Sequence, residues 1–322
     1  MHRISKGAAL LAPVLILVLA VSVLLAASSP ALAARKKAKP GAGQGVSKGA
    51  GAQLLCPAEA GLGEPFVVRV RSSKAFSSAT VSFLKRSAPL EVRRVAGEGG
   101  KAPVIWEAVA LVGTDVLGTA TGQKEILVRL GKGRTLRAVI HIRRVKRPTE
   151  SLDLSPEMVN PPASELPRIA AERAQAQAVL AMTSPKLLFR LPFTRPVPGE
   201  LSSMYGIGRV LNGQPRAPHR GLDLEAEVGQ PVVAAADGRV VLVGDFYYAG
   251  RCIYVDHGQG VFSMYFHLSE QRVENGQKVS AGEVIGLAGA TGRSTRSHLH
   301  FGVSTLGRLV DPAPLFGYDA LP

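Results

Sequence analysis

Between Leu54 and Arg147 the chain is written in short runs of period-two alternation. Phe66-Val67-Val68-Arg69-Val70-Arg71, Ala79-Thr80-Val81-Ser82-Phe83-Leu84, Glu125-Ile126-Leu127-Val128-Arg129 and Ala138-Val139-Ile140-His141-Ile142 each send apolar side chains to one face. A strand half-buried against a core needs that alternation. With turn residues between the runs, the pattern predicts a small β-sandwich over 54–147. A Pro-rich connector follows over 148–191, with Ser155-Pro156 and Asn160-Pro161-Pro162. It holds one predicted helix, 164–182, in which Ser164 is the candidate cap and Pro167 suits the first turn. That helix reads as a spacer between two β domains. From 192 to 318 strand and turn return, as in Gly238-Arg239-Val240-Val241-Leu242-Val243, Cys252-Ile253-Tyr254-Val255-Asp256 and Phe262-Ser263-Met264-Tyr265-Phe266. Frequent glycines punctuate them, and a mostly antiparallel β domain is expected. The fold class is therefore mainly β.

The N-terminus departs from these patterns. His2, Arg3 and Lys6 precede an apolar run from Ala8 to Ala27, and Ala31-Leu32-Ala33 is a small-x-small cleavage signal. Residues 1–33 read as a secretory signal peptide cleaved near Ala33, which places the mature chain in the periplasm or cell envelope. The competing reading is an uncleaved N-terminal membrane anchor, since the apolar run is just long enough to span. Residues 34–53, rich in Lys, Gly and Ala, read as a flexible basic linker. Export makes Cys56 and Cys252 disulfide-permissive; a bridge and two separately buried thiols both fit.

Composition is that of a globular protein, 46% hydrophobic and 20% charged, but the net charge of +15 is uneven. Residues 34–150 carry 22 Lys and Arg against 8 Asp and Glu, whereas residues 151–322 carry 15 against 16. A basic first domain suggests an anionic partner. An exported protein meets little nucleic acid, so an anionic envelope polymer is the expected partner.

Five of the seven histidines fall after residue 192. In His219-Arg220-Gly221-Leu222-Asp223, positions i and i+4 of an extended strand share a face, so imidazole and carboxylate can converge on one ion. His298-Leu299-His300 does the same at i and i+2. Two histidines and one carboxylate leave a tetrahedral zinc with one open position, the arrangement of a catalytic rather than a structural site. If His300 joins His219 and Asp223, His298 remains on the same face as a base or an oxyanion contact. His267, ending an apolar run, could supply a second polar contact. His141 reads as structural, and Asp256 and His257 as turn residues with local bonds.

These segments resemble the lysostaphin/LytM-type zinc metallopeptidases over roughly Leu191 to Phe316. The resemblance rests on Ser202-Ser203-Met204-Tyr205-Gly206, Pro218-His219-Arg220-Gly221-Leu222-Asp223, Tyr265-Phe266-His267-Leu268-Ser269 and His298-Leu299-His300-Phe301. It implies one Zn2+ held by His219, Asp223 and His300, with His298 and His267 assisting catalysis in an antiparallel β-sheet groove. Its implied substrates are peptidoglycan peptide stems and cross-links, cut in the manner of a D,D-endopeptidase. The N-terminal half looks like the immunoglobulin-like module of envelope members of the family. Arg220 departs from the pattern, standing where a small residue is frequent. The alternative is a non-enzymatic LytM-like regulator of other cell-wall hydrolases; the intact ligand set argues against it.

Overall fold

The computed structural model describes residues 47–49, 51–95 and 104–317. The expected signal peptide and most of the basic linker lie outside the described residues.

The alternating runs of the N-terminal half become two five-stranded sheets. One orders its strands Ser47–Gly49, Ala52–Leu55, Pro65–Ser72, Ile105–Gly113, Val92–Val95; the other Glu59–Gly61, Arg134–Arg143, Gly122–Leu130, Ala79–Phe83, Arg86–Leu90. Pairing is antiparallel except for Glu59–Gly61, which runs parallel to Arg134–Arg143. Val68 and Val70 from the first sheet share one core with Val81, Ile126, Val128, Ile140 and Ile142 from the second. Phe66 and Phe83 meet edge to face across it, 5.5 Å apart. The inward residues are those the alternation selects, because in a strand every second side chain shares a face. His141 lies on the exposed side.

The C-terminal half is built on an eight-stranded sheet. Its main path is Leu201–Ser203, Leu222–Glu225, His298–Thr305, Val261–Leu268, Gly250–Asp256, Gly238–Phe246, Lys278–Val279, with Arg308–Val310 paired to His298–Thr305. One face of this sheet is mainly apolar: Leu224, Leu299, Phe301, Val303, Tyr265, Ile253 and Val255 enter the main core. The opposite face carries Asp223, His298, His300, Phe266, Met264 and Tyr254, as cross-strand pairing of Asp223 with His300, Phe266 with His300 and Met264 with Tyr254 requires.

Both halves belong to one compact unit. Leu111 of the sandwich enters the C-terminal core, while Leu306, in the turn after His298–Thr305, enters the sandwich core. Tyr205 donates from its hydroxyl to the Leu309 carbonyl at 2.7 Å and accepts from the Val116 amide at 3.2 Å. Cys56 and Cys252 are free thiols in separate cores.

The connector helix spans Leu166–Leu180. Ser164 does not cap it: a 3-10 turn, Ala163–Glu165, leads in, and Glu165 takes the cap position without a side-chain bond. Nor does the helix stand as a spacer. Ala176, Val179 and Leu180 pack against Leu242, Cys252, Tyr254 and Met264, on the same sheet face as the histidines. Arg168 donates to the Asp245 carbonyl and Glu172 accepts from the Tyr247 amide at 2.8 Å, which fixes the helix along that face.

Candidate metal centre

Asp223 and His300 face each other across adjacent strands, and His298 sits two residues away on the same face. His219 arrives differently from the sequence expectation. The strand begins only at Leu222, so His219 lies ahead of it, and the shared face of i and i+4 is not what brings it in. Its backbone is pinned instead, with His219 N donating to the Ile207 carbonyl at 2.9 Å and the His219 carbonyl accepting from Gly206 N at 2.6 Å. The glycine between the ligands makes room: a Cβ on Gly221 would stand 2.6 Å from Cε1 and Nε2 of His300.

Three donor atoms result in near-equilateral contact. His219 Nε2 lies 2.9 Å from His300 Nδ1 and 3.0 Å from Asp223 Oδ1, and His300 Nδ1 lies 2.9 Å from the same oxygen. All fall within 4.8 Å of one another. A tetrahedral zinc with bonds of roughly 2.0–2.2 Å separates its ligand atoms by about 3.3 Å, so the triangle fits that ion with little adjustment. Protonation fits as well. Burial pushes His300 down to about 4 despite the neighbouring Asp223 carboxylate, and so keeps it neutral. Burial alone would raise the Asp223 carboxyl, but the His219 and His300 imidazoles set around it hold it far below the usual range. A neutral imidazole at His300 and an ionised carboxylate at Asp223 are the forms a divalent cation binds. His219 Nδ1, 3.1 Å from the Met204 carbonyl, donates there and leaves Nε2 for the ion.

Asp223 has a further partner that sequence reasoning missed. Arg209 donates through Nη2 to Asp223 Oδ2 at 3.0 Å and through Nε to Glu150 Oε1 at 2.9 Å. Glu150 belongs to the connector strand Thr149–Leu152, which runs parallel to Gly208–Leu211 with Glu150 in register with Arg209. An Arg and a Glu 59 positions apart in the chain carry no periodic signal.

His267 is brought in by an irregularity. Phe266 pairs with His300, so in a regular strand His267 would point to the apolar face. The pairing with Gly250–Asp256 slips between Arg251 and Ile253, and His267 takes a left-handed φ of 64°. This β-bulge turns the ring back to the polar face, 4.7 Å from the His298 ring. His267 Nδ1 donates to the Thr291 carbonyl at 2.8 Å, and His298 Nδ1 to that of Arg296 at 2.9 Å. Nε2 is then the nitrogen each ring keeps for the site, that of His298 lying 3.7 Å from Asp223 Oδ1. Burial, reinforced by His298 and His300, pushes His267 down to about 3. His267 thus stays neutral, able to accept a hydrogen bond at Nε2 but with no proton there to hold an oxyanion.

His257 stays outside the site. Its ring is buried, with Nδ1 donating to the Asp237 carbonyl at 2.8 Å and Nε2 2.7 Å from Ser263 Oγ. Asp256 accepts from Gly258 N, a turn bond.

Residues 217–312 match Peptidase family M23. Over 95 residues, 30% of this chain and 22% of the relative, the chain is 44% identical to peptidoglycan DD-endopeptidase ShyA of Vibrio cholerae serotype O1. Over 94 residues, 29% of this chain and 22% of the relative, it is 42% identical to DD-carboxypeptidase/endopeptidase Mpg of Neisseria meningitidis serogroup B. The chain thus spans about a fifth of the length of these curated relatives. A Pseudomonas aeruginosa crystal structure, provisionally described as a peptidase M23, superposes with a TM-score of 0.59 at 31% identity, covering 78% of this chain and 93% of that one.

Proposed function

The chain belongs to peptidase family M23, and from that premise we propose that it is an exported, zinc-dependent D,D-endopeptidase that hydrolyses amide bonds in peptidoglycan peptide cross-links. The observation that carries the reading is the meeting of His219, Asp223 and His300 at one point, with the His298 and His267 rings, each held through Nδ1, beside it. Three of the relatives that share 40–44% identity with this chain over about 90 residues are named peptidoglycan DD-endopeptidases. Export rests on the basic, apolar and Ala-x-Ala pattern of residues 1–33. The basic first half would hold the enzyme to an anionic envelope polymer.

One zinc ion bound by His219, Asp223 and His300 would supply Lewis acidity to the scissile carbonyl and bring a water molecule's pKa toward neutrality. His298 is the base: its ring is held by the Arg296 carbonyl, and its Nε2 faces the site. It takes the proton of the attacking water and returns it to the departing amine. His267, kept neutral by burial, accepts a hydrogen bond from water or substrate and orients it. Arg209 and Glu150 hold the Asp223 carboxylate in place.

Metal analysis of the purified protein, with mass identification of products from peptidoglycan digested with and without chelator, tests the reading. One zinc per chain and cross-link products that vanish with chelator and return with zinc are expected. Cleavage that persists without metal, or zinc well below one per chain in fully folded protein, refutes it.

A further inference from the structure

The Leu166–Leu180 helix occupies the sheet face along which a peptide bound at the histidines would otherwise continue toward Gly238–Phe246. Between the helix and His300 remains a cavity of about 560 Å³, floored by Tyr254, Met264 and Phe266. Its size falls within the roughly 300–1,000 Å³ of small-ligand sites. An extended chain entering from His300 meets the helix, so the segment it admits must end or turn there.

The charges of this cavity are unusual for a site with an apolar floor. Arg173, on the exposed side of the helix, and Arg220, next to the ligand His219, both line it. Asp115, from the loop after the sandwich strand Ile105–Gly113, is the acidic residue among its walls. That carboxylate is already engaged: it accepts from Leu117 N at 2.9 Å and Leu309 N at 3.3 Å, and lies 3.4 Å from Arg220 Nη1. It therefore fixes the Arg220 guanidinium while leaving its other donors free. Arg173 makes no ion pair among the described residues, and Glu172 beside it is turned to Tyr247 N and Arg168. Guanidinium groups bind carboxylates through paired, charge-assisted hydrogen bonds. Arg173 and Asp115 lie outside residues 217–312, so the cavity takes part of its wall from beyond the family-matched segment.

We propose that this cavity is a subsite for a free carboxylate of the peptide substrate, gripped by Arg173 and Arg220 while the adjoining amide lies at His300. The proposal rests on the peptidase reading above and adds what that reading leaves open, the chemistry required next to the scissile bond. The apolar floor carries the methylenes or methyl of the residue bearing the carboxylate.

The test uses the full-length, zinc-loaded protein and two probes: a peptidoglycan stem tetrapeptide with its carboxyls free, and the same peptide fully amidated. Calorimetric titration of the wild type is expected to favour the free acid by about tenfold, the effect of one charge-assisted contact partly open to solvent. In Arg173→Ala the preference should fall to within about twofold with an unchanged melting temperature, and Arg173→Lys should keep part of it. Equal binding of the two peptides by the wild type overturns the subsite. So does an undiminished preference in Arg173→Ala, the result expected if the metal rather than the arginines holds the carboxylate. Cleavage of a cross-linked stem dimer is followed in parallel. Discrimination without cleavage supports the subsite and refutes the peptidase reading; cleavage without discrimination does the reverse.

Discussion

Gly221 offers the sharpest test of how the metal group is built. Its backbone φ is not in the left-handed region, so Gly221→Ala adds a methyl without forcing the chain, and the effect isolates packing. The new Cβ would lie 2.6 Å from Cε1 and Nε2 of His300 and 2.7 Å from the Phe301 carbonyl oxygen. Ordinary contact starts near 3.4 Å, so the ring must retreat by about 0.8 Å. Metal–ligand distances tolerate only about 0.2 Å. His300 cannot simply swing away, because Phe266 stacks on it at 5.2 Å and Asp223 holds Nδ1. Zinc affinity should fall about 10- to 100-fold, the range seen when groups that orient ligands are changed. Turnover should drop by about 100-fold, as for a displacement approaching 1 Å, whereas overpacking costs about 1–3 kcal/mol of stability. Competition with a chromophoric chelator gives the zinc dissociation constant, and melting in excess chelator separates metal-free stability from metal binding. A variant that binds zinc and turns over within twofold of wild type refutes the claim that Gly221 is required by the His300 ring.

Two further outcomes follow from the same contacts. Arg209→Met keeps an unbranched apolar stem but removes the guanidinium from Asp223 Oδ2; chelator competition should show zinc weakened by about 10- to 100-fold, and unchanged affinity would make Arg209 a bystander. His257, pushed down to about 4 by burial, binds its proton in the unfolded chain near 6.5 and in the folded one only near 4. Its contribution is complete above about pH 6.5 and is lost as pH falls through that window, by about 3 kcal/mol. Urea unfolding at pH 7 and pH 4.5 should show less acid loss in His257→Gln than in wild type; an equal loss in both would assign the sensitivity elsewhere.

The elements were legible where the physics is local. Alternation placed the strands around Val68, Val128 and Ile140 correctly, because a half-buried strand is written in its own residues. The pairing of His298 with His300 on one face followed from the same rule; their approach to Asp223 comes from the register between two strands, which alternation within either does not encode. His219 reached the site, but by backbone bonds to Ile207 and Gly206 that no spacing of its own segment encodes. His267 is the clearest failure of periodicity. Counting alternate residues from Phe266 sends it into the apolar core, and only the extra residue of a bulge returns it. A bulge is set by the partner strand, so the His267 segment alone could not announce it.

The connector shows the same limit at a larger scale. Its helix read as a spacer because its own sequence is Ala-, Glu- and Gln-rich, and Ile169 is its one buried residue. Its place is decided by what it covers: the polar sheet face would leave Leu242, Cys252, Tyr254 and Met264 bare beside the histidines. Burying them stabilises the helix against the sheet and at the same time ends the groove there. The connector strand Thr149–Leu152 brings Glu150 to Arg209, and through it to the carboxylate at the centre of the site. Residues 217–312 contain the three donor atoms, yet Arg209, Glu150 and the wall that bounds the groove all lie outside them. The matched segment therefore carries the ligands, while their orientation and the extent of the groove depend on the chain that precedes it.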